Sequence, residues 1–167
     1  MNKGRYVIMG VTGSGKSLIG AALARELGVD FVEGDAYHSA ANVERMKSGI
    51  PLTDEDREEW LRAIASRIGK ARDTGTGLVV SCSALKRSYR DILRGENNDP
   101  RFVFLRGPRA LIAERLSKRQ GHFMPPSLLD SQFAALQKPS PEEDAWICDI
   151  ADSPAEIVAE IVDRASA

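Results

Sequence analysis

Short apolar runs alternate with longer amphipathic stretches along the chain, and this alternation predicts an α/β fold. Five runs have the length expected of buried strands. They are Arg5–Gly10, Asp30–Glu33, Gly77–Ser81, Arg101–Arg106 and Ala145–Ile150. Because several of these runs are continuously apolar, we expect a parallel sheet that is covered on both faces.

Apolar residues recur at helical spacing in three further stretches, and each set predicts the buried face of a helix. The sets are Leu18, Ile19, Ala22 and Leu23; Trp60, Leu61, Ile64, Ala65 and Ile68; and Ile157, Val158, Ile161 and Val162. Ser153 and Glu156 have the spacing of a capping box, with Pro154 at the first helical position. Ser127 and Asp130 predict another helix start in the same way.

Two regions do not fit a simple alternation of strands and helices. Residues 35–76 carry two helical segments between consecutive strands. Residues 119–127 are polar, contain Gly121 and the pair Pro125-Pro126, and interrupt a helical region, which is typical of a mobile flap. We therefore expect one domain over residues 1–167, with an insertion at about 35–76 and a lid at about 119–127.

Composition limits the class of protein and its partners. The chain has 167 residues, of which 43% are hydrophobic and 28% charged, enough for one substantial core. A net charge of −1 argues against binding to nucleic acid or membrane through overall charge. Cys82 and Cys148 stand apart in apolar runs and predict reduced thiols. With no export signal or membrane span visible, we expect a cytoplasmic protein.

A glycine-rich loop between the first strand and the first helix carries the strongest chemical signal. It reads Gly10, Val11, Thr12, Gly13, Ser14, Gly15, Lys16 and Ser17. Glycines let backbone N–H groups turn toward phosphate oxygens, and the following helix adds the positive end of its dipole. Lys16 is placed to reach the β- and γ-phosphates of ATP, and Ser17 to bind Mg²⁺. The loop predicts nucleotide binding without identifying the acceptor.

Asp35 and His38 follow the second strand, at the edge of the sheet where ligands bind in α/β folds. The Asp35 carboxylate could accept a proton from an attacking hydroxyl or hold a magnesium-bound water, and the alternative is a turn or helix-cap residue. His38 could bond a substrate hydroxyl or cap the next helix.

A third cluster follows the apolar run that ends at Val80. Where many P-loop proteins place a magnesium-organising aspartate, this chain has Ser81 and Cys82, which shifts that role toward Asp35. Three cations then occur within five residues, suited to a carboxylate or phosphate on the acceptor. They are Lys86, Arg87 and Arg90. The alternative is a solvated helix face paired with Asp91.

These residues together resemble the gluconokinases, kinases of the nucleoside-monophosphate-kinase-like branch of P-loop proteins. The resemblance spans nearly the whole chain. It rests on Gly10–Ser17, Gly34-Asp35 with His38, Asn42 through Met46 to Gly49-Ile50-Pro51-Leu52, Asp54–Arg57 with Trp60-Leu61, Ser81–Arg87 with Tyr89-Arg90-Asp91, and His122–Pro125 followed by Leu128-Leu129 and Ser131–Phe133.

The resemblance implies a three-layer α/β/α sandwich with a five-stranded parallel sheet, a helical substrate-binding insertion and a lid. It further implies transfer of phosphate from ATP to D-gluconate with Mg²⁺, and a homodimer. Joined with the motifs, it predicts a catalytic set of Lys16, Asp35 and Arg119, with Ser17 and Asp35 as metal ligands. The predicted substrate-binding residues are Asp35, His38, Arg57, Ser83, Lys86, Arg87, Arg90 and His122. For Arg119, the alternative is a partner for a helix C-terminus.

Two rival functions share the main features. A shikimate or nucleoside-monophosphate kinase has the same loop, an aspartate after the second strand and a lid. A non-catalytic ATP-binding module would also keep the loop, although the presence of Lys16, Ser17 and Asp35 together counts against it.

Overall fold

Five strands form one parallel sheet in the order β2-β3-β1-β4-β5. The computed structural model describes residues 4–118 and 126–167. The strands are β1 (Arg5–Met9), β2 (Asp30–Glu33), β3 (Leu78–Ser81), β4 (Arg101–Arg106) and β5 (Trp146–Asp149). β1 lies at the centre, with Val7 in register with Val80 of β3 and with Phe102 of β4. All five predicted strands are therefore confirmed, with bounds that agree within one residue.

Helices cover both faces of this sheet. They are α1 (Lys16–Leu27), α2 (Ala40–Lys47), α3 (Asp54–Thr74), α4 (Arg87–Arg94), α5 (Arg109–Ser117), α6 (Pro126–Ala135) and α7 (Pro154–Ala165). Side chains alternate across a strand, so Ile8 packs with α1, α5 and α7 while Val7 and Met9 pack with α3 and α4. The result is the predicted three-layer α/β/α sandwich.

Of the two helix starts predicted from capping signals, one is confirmed and one is wrong. Ser153 and Glu156 form the predicted capping box at α7, with Glu156 N–H donating to Ser153 Oγ over 3.2 Å. α6 begins at Pro126 and includes Ser127, so the predicted start at Ser127 is wrong. Proline suits the first helical turn because its missing N–H would have no partner there.

One predicted core position is also wrong. Leu18 is 63% exposed, whereas Ile19 and Leu23 are buried as predicted. The buried arc of α1 runs through Ile19, Leu23 and Ala24, and Leu18 lies outside it, on a groove between α1 and α7. Strict helical spacing alone did not separate these two sides of the helix.

The insertion between β2 and β3 contains the two expected helical segments, α2 and α3. Thr53 and Asp56 form a capping box at the start of α3. The α2 residue Asn42 donates from Nδ2 to the Asp56 carbonyl over 3.1 Å, which ties the two helices together. The predicted lid residues Arg119 and His122 lie outside the described residues. Each helix within the described ranges is too short or too polar to cross a bilayer.

Candidate active site

The glycine loop connects the end of β1 to the start of α1 through a tight turn. Ser14 N–H donates to the Val11 carbonyl over 3.2 Å, which closes a four-residue turn. Gly13, at the third position of this turn, has a φ of 79° that disfavours residues with a Cβ. At Gly10, an added Cβ would lie 2.7 Å from Ser14 Oγ. The sequence therefore folds here into the predicted phosphate cradle.

Hydrogen-bond donors and one cation line this cradle. The first N–H groups of α1 have no partners within the helix, and Gly15 at the N-cap carries no side chain to bond them. The buried hydroxyl of Ser14 makes no hydrogen bond within the described part of the chain. Lys16 Nζ donates to the Val11 carbonyl over 2.9 Å and so reaches across the loop. Unpaired donors and a cation at a helix N-terminus suit a phosphate chain.

Glu33, at the end of β2, is a site residue that the sequence interpretation missed. Its Oε1 accepts hydrogen bonds from Ser17 Oγ at 2.8 Å and from Ser81 Oγ at 2.5 Å. The structure thus places a carboxylate on the residue predicted to bind magnesium, from β2 instead of β3. A carboxylate at the carboxyl end of β2, two residues before Asp35, was the signal that could have revealed it.

Gly34 allows this arrangement because its backbone passes against β3. A Cβ at Gly34 would lie 2.1 Å from the Ser81 carbonyl oxygen, far inside van der Waals contact. The Gly34 carbonyl also accepts a hydrogen bond from Trp60 Nε1 at 2.8 Å. Because the Gly34 backbone is held against Ser81 and Trp60, the neighbouring residues Glu33 and Asp35 have defined positions at the edge of the sheet.

Asp35 lies in a short 3₁₀ helix, Gly34–Tyr37, and is exposed. Burial raises the pKa of the Cys82 thiol to about 12, and the charges of Asp35 and Lys16 raise and lower it respectively. Asp35 and Lys16 therefore both lie within electrostatic range of the buried Cys82 thiol. The Asp35 carbonyl accepts from His38 N–H over 3.3 Å, so its backbone stabilises the turn while its carboxylate stays exposed.

His38 stacks on Trp60, with the ring centroids 4.2 Å apart and the planes 16° from parallel. Its Nδ1 is buried and has no hydrogen-bond partner among the described residues. Burial lowers the pKa of His38 below its ordinary value, and the Arg57 charge adds to this effect against the opposing charge of Asp35. Ser39, not His38, caps α2 by accepting from Asn42 N–H. The helix-cap alternative for His38 is therefore excluded.

Two of the predicted cations meet at one tyrosine. Arg57 Nη1 donates to Tyr89 Oη over 3.4 Å, and Lys86 Nζ lies 5.6 Å from the Tyr89 ring centre. Tyr89 Oη in turn donates to Asp54 Oδ1 over 2.9 Å, and Lys86 Nζ is 3.6 Å from the same oxygen. Arg57 and Lys86 are both about one-third exposed, so this cluster can reach a ligand.

Arg90 does not belong to this cluster, and the prediction that it binds substrate is wrong. Its side chain is fully buried between Glu143 and main-chain carbonyls. Nε and Nη2 donate to Glu143, Nη1 donates to the Ala84 and Leu85 carbonyls, and Nη2 also reaches the Gln137 carbonyl. A guanidinium has five N–H donors, and these contacts use them all.

Arg87 and Ser83, which were also predicted to bind substrate, make other contacts in the structure. Arg87 Nη1 donates to Ser140 Oγ over 3.1 Å and pairs with Glu142, so the structure does not bring it together with Arg57 and Lys86. Ser83 is partly buried, and its carbonyl accepts from Gly10 N–H over 3.2 Å. Its backbone thus holds the start of the glycine loop.

The fold and this site define a P-loop kinase of the shikimate kinase group, whose family model matches residues 12–166. A gluconokinase of Gluconobacter oxydans is 48% identical over 137 residues, which cover 82% of this chain and 77% of the relative. The thermoresistant gluconokinase of Escherichia coli is 42% identical over 152 residues, covering 90% and 86%. A crystal structure of a gluconokinase from Sinorhizobium meliloti has a TM-score of 0.88 and 47% identity over 98% of this chain and 92% of that one. The chain belongs to the gluconokinase family.

Proposed function

We propose that the protein transfers the γ-phosphoryl group of ATP to D-gluconate and forms 6-phospho-D-gluconate. The observation that carries the proposal is the pairing of a complete phosphate cradle with an accessible cation cluster at Arg57 and Lys86. A sugar acid presents both a hydroxyl to phosphorylate and a carboxylate to hold. Relatives at 40–48% identity, named gluconokinase or probable gluconokinase, support this substrate over the alternatives.

Lys16 and the N-terminus of α1 bind the ATP phosphates and stabilise the charge that develops during transfer. Asp35 accepts the proton of the attacking hydroxyl. Its exposure leaves the carboxylate accessible to an acceptor. Because phosphoryl transfer needs mainly positioning, the rate depends on holding this hydroxyl in line with the phosphate.

Mg²⁺ fits the oxygen set at Ser17, Glu33 and Ser81. No group of three acidic, histidine or cysteine side chains that could enclose a metal occurs in residues 4–118 and 126–167. Magnesium bound to nucleotides takes one or two carboxylates and completes its shell with phosphate and water oxygens. The ion, when bound, neutralises phosphate charge. Ser17 and Glu33 would hold it, and Asp35 is the second carboxylate available.

The carboxylate of gluconate binds Arg57 and Lys86, and its chain extends toward Asp35 and His38. Asp54 supplies a carboxylate that these cations and the Tyr89 hydroxyl contact. A substrate carboxylate has the same charge and hydrogen-bonding geometry. His38 is only partly buried, so its ring can contact a hydroxyl of the sugar acid.

An acceptor panel tests the proposal. Purified protein with ATP and Mg²⁺ is offered gluconate, shikimate or AMP, and ADP release is measured. We expect strong release with gluconate only. Strong release with shikimate or AMP would reassign the substrate, and ATP binding without turnover on any sugar acid would indicate a non-catalytic module.

We further propose that the protein is a homodimer, because it resembles a family that is commonly homodimeric. We also propose a cytoplasmic location, because both cysteines are buried and form no disulfide. Light scattering after size exclusion measures the mass directly. A mass near twice the 18.2 kDa of one chain is the expected result, and a mass of one chain at all concentrations would contradict it.

A further inference from the structure

One short segment, residues 132–137 at the end of α6 and just after it, contacts both sides of the site. Gln132 Oε1 accepts a hydrogen bond from Thr12 N–H at 2.6 Å, on the glycine loop. Five residues later, Gln137 Oε1 accepts from Arg87 N–H at 2.8 Å, and Gln137 N–H donates to the Leu85 carbonyl at 2.8 Å. The two glutamines thus hold two loops that are far apart in sequence.

The Thr12 amide needs an external partner. Thr12 is the second residue of the turn closed by Ser14 N–H and the Val11 carbonyl, and that turn uses no N–H of its central residues. A partly buried amide without a partner costs free energy. Gln132 supplies the acceptor, while Leu116 of α5 packs within 2.7 Å of where a Gly13 Cβ would be. The turn is therefore held from outside the loop.

The Arg87 amide has the same need. It lies at the start of α4, where N–H groups have no partner within the helix, and Lys86 at the N-cap makes no side-chain cap. Gln137 fills this place from another segment. Ala84, three residues before Arg87, has a φ of 46°, which a residue with a Cβ rarely adopts. The connection that presents Lys86 therefore depends on the bonds from Gln137 for its shape.

We propose that Gln132 and Gln137 are positioning residues, Gln132 for the nucleotide loop and Gln137 for the acceptor-binding loop. Neither needs to touch a substrate. Gln132 keeps the turn at Thr12 and Gly13 in its phosphate-binding shape, and Gln137 keeps Lys86 beside Tyr89. The half that concerns Gln137 rests on the proposed function, and the half that concerns Gln132 requires only that the loop binds a nucleotide.

Replacement of each glutamine by methionine tests this, because methionine has similar length and no strong acceptor. We expect Gln132→Met to raise the KM for ATP about tenfold and leave the KM for gluconate within about twofold. Gln137→Met should show the reverse pattern, about tenfold in gluconate and little in ATP. Ser131→Ala is the matched control on α6, since Ser131 Oγ bonds only the Leu128 carbonyl of its own helix among the described contacts.

Calorimetric binding of a non-hydrolysable ATP analogue, without acceptor, gives a second measure for Gln132. Weaker analogue binding by Gln132→Met supports the proposal even if gluconate is not the acceptor. Failure of this proposal can therefore be distinguished from failure of the proposed function. Parallel changes in both KM values, or a lower melting temperature with both KM values unchanged, would overturn it by indicating general destabilisation. If Gln132→Met does not fold, Gln132→Asn keeps the amide but shortens its reach and takes the same test.

Discussion

Two carboxylates, Glu33 and Asp35, flank one glycine and face different surroundings. Glu33 accepts hydrogen bonds from Ser17 and Ser81, whereas Asp35 is exposed. The sequence interpretation gave both the base and the metal role to Asp35. We propose a division of these roles, with Glu33 on the metal side and Asp35 on the acceptor side.

This division predicts separable defects. Asp35→Asn should lower turnover with gluconate by a factor of about 100 and leave ATP affinity nearly unchanged, because it removes a proton acceptor. Glu33→Gln should raise the magnesium concentration for half-maximal rate, because it removes a charged ligand. Kinetics over a range of magnesium concentrations measure both. The same magnesium requirement in Glu33→Gln and the unmodified protein would contradict the assignment.

The buried ring of His38 predicts a pH effect. Burial lowers its pKa in the folded protein, while the unfolded chain keeps an ordinary value near 6.5. Between those two values the unfolded state binds the proton more readily, so stability is fully present above pH 6.5 and falls as the pH drops toward the folded pKa. Urea unfolding at pH 7.5 and 5.5 should show a larger loss for the unmodified protein than for His38→Gln. Equal losses would contradict this account.

At the scale of elements, an ion network joins α4 to the segment before β5. Arg90 and Arg94 both bond Glu143, and all three side chains are largely buried. Burial alone would raise the pKa of Glu143, but the bonds from Arg90 and Arg94 outweigh it and lower the pKa to about 2. The contribution of this carboxylate to stability is therefore present above its unfolded pKa and is lost as the pH falls toward 2.

Removing the charge should reveal the strength of this network. Glu143→Gln leaves two buried guanidinium groups without a carboxylate, and we expect it to lower the free energy of unfolding by about 3 kcal/mol. Glu142→Gln is the matched control, because Glu142 pairs with Arg87 on the surface and its loss should change stability little. Denaturant unfolding measures both. Equal losses in the two variants would show that the buried network contributes no more to stability than the exposed ion pair.

The junction of β2 with the 3₁₀ helix gives another test at this scale. Gly34→Ala would force a Cβ against the Ser81 carbonyl, so we expect a loss of about 1–3 kcal/mol in stability together with reduced activity. Gly69→Ala is the control within α3, where a Cβ would meet only the end of the Arg72 side chain at 3.4 Å. This control should stabilise the helix by about 0.5–1 kcal/mol. Thermal unfolding compares the two, and a stable, fully active Gly34→Ala variant would contradict the packing argument.

At the scale of the whole molecule, local pattern predicted the sheet, the glycine loop and most buried helix faces. These features depend on residues that are neighbours in sequence, such as Lys16 and Ser17 after the loop. Arg90 could not be assigned in this way, because its carboxylate partner lies 53 residues away. The role of Glu33 likewise depends on Ser81, which β3 brings alongside β2. Contacts between segments that are distant in sequence determined the roles of these residues, which residue spacing alone could not assign.

The stacking of His38 on Trp60 gives the molecule an internal optical reporter. Only two tryptophans occur in the chain, and the other, Trp146, lies on β5 beside Tyr6. An imidazole in face-to-face contact with an indole affects its fluorescence, and more strongly when the imidazole is protonated. A protein carrying Trp146→Phe would therefore report the state of this one ring pair by its emission, without any label.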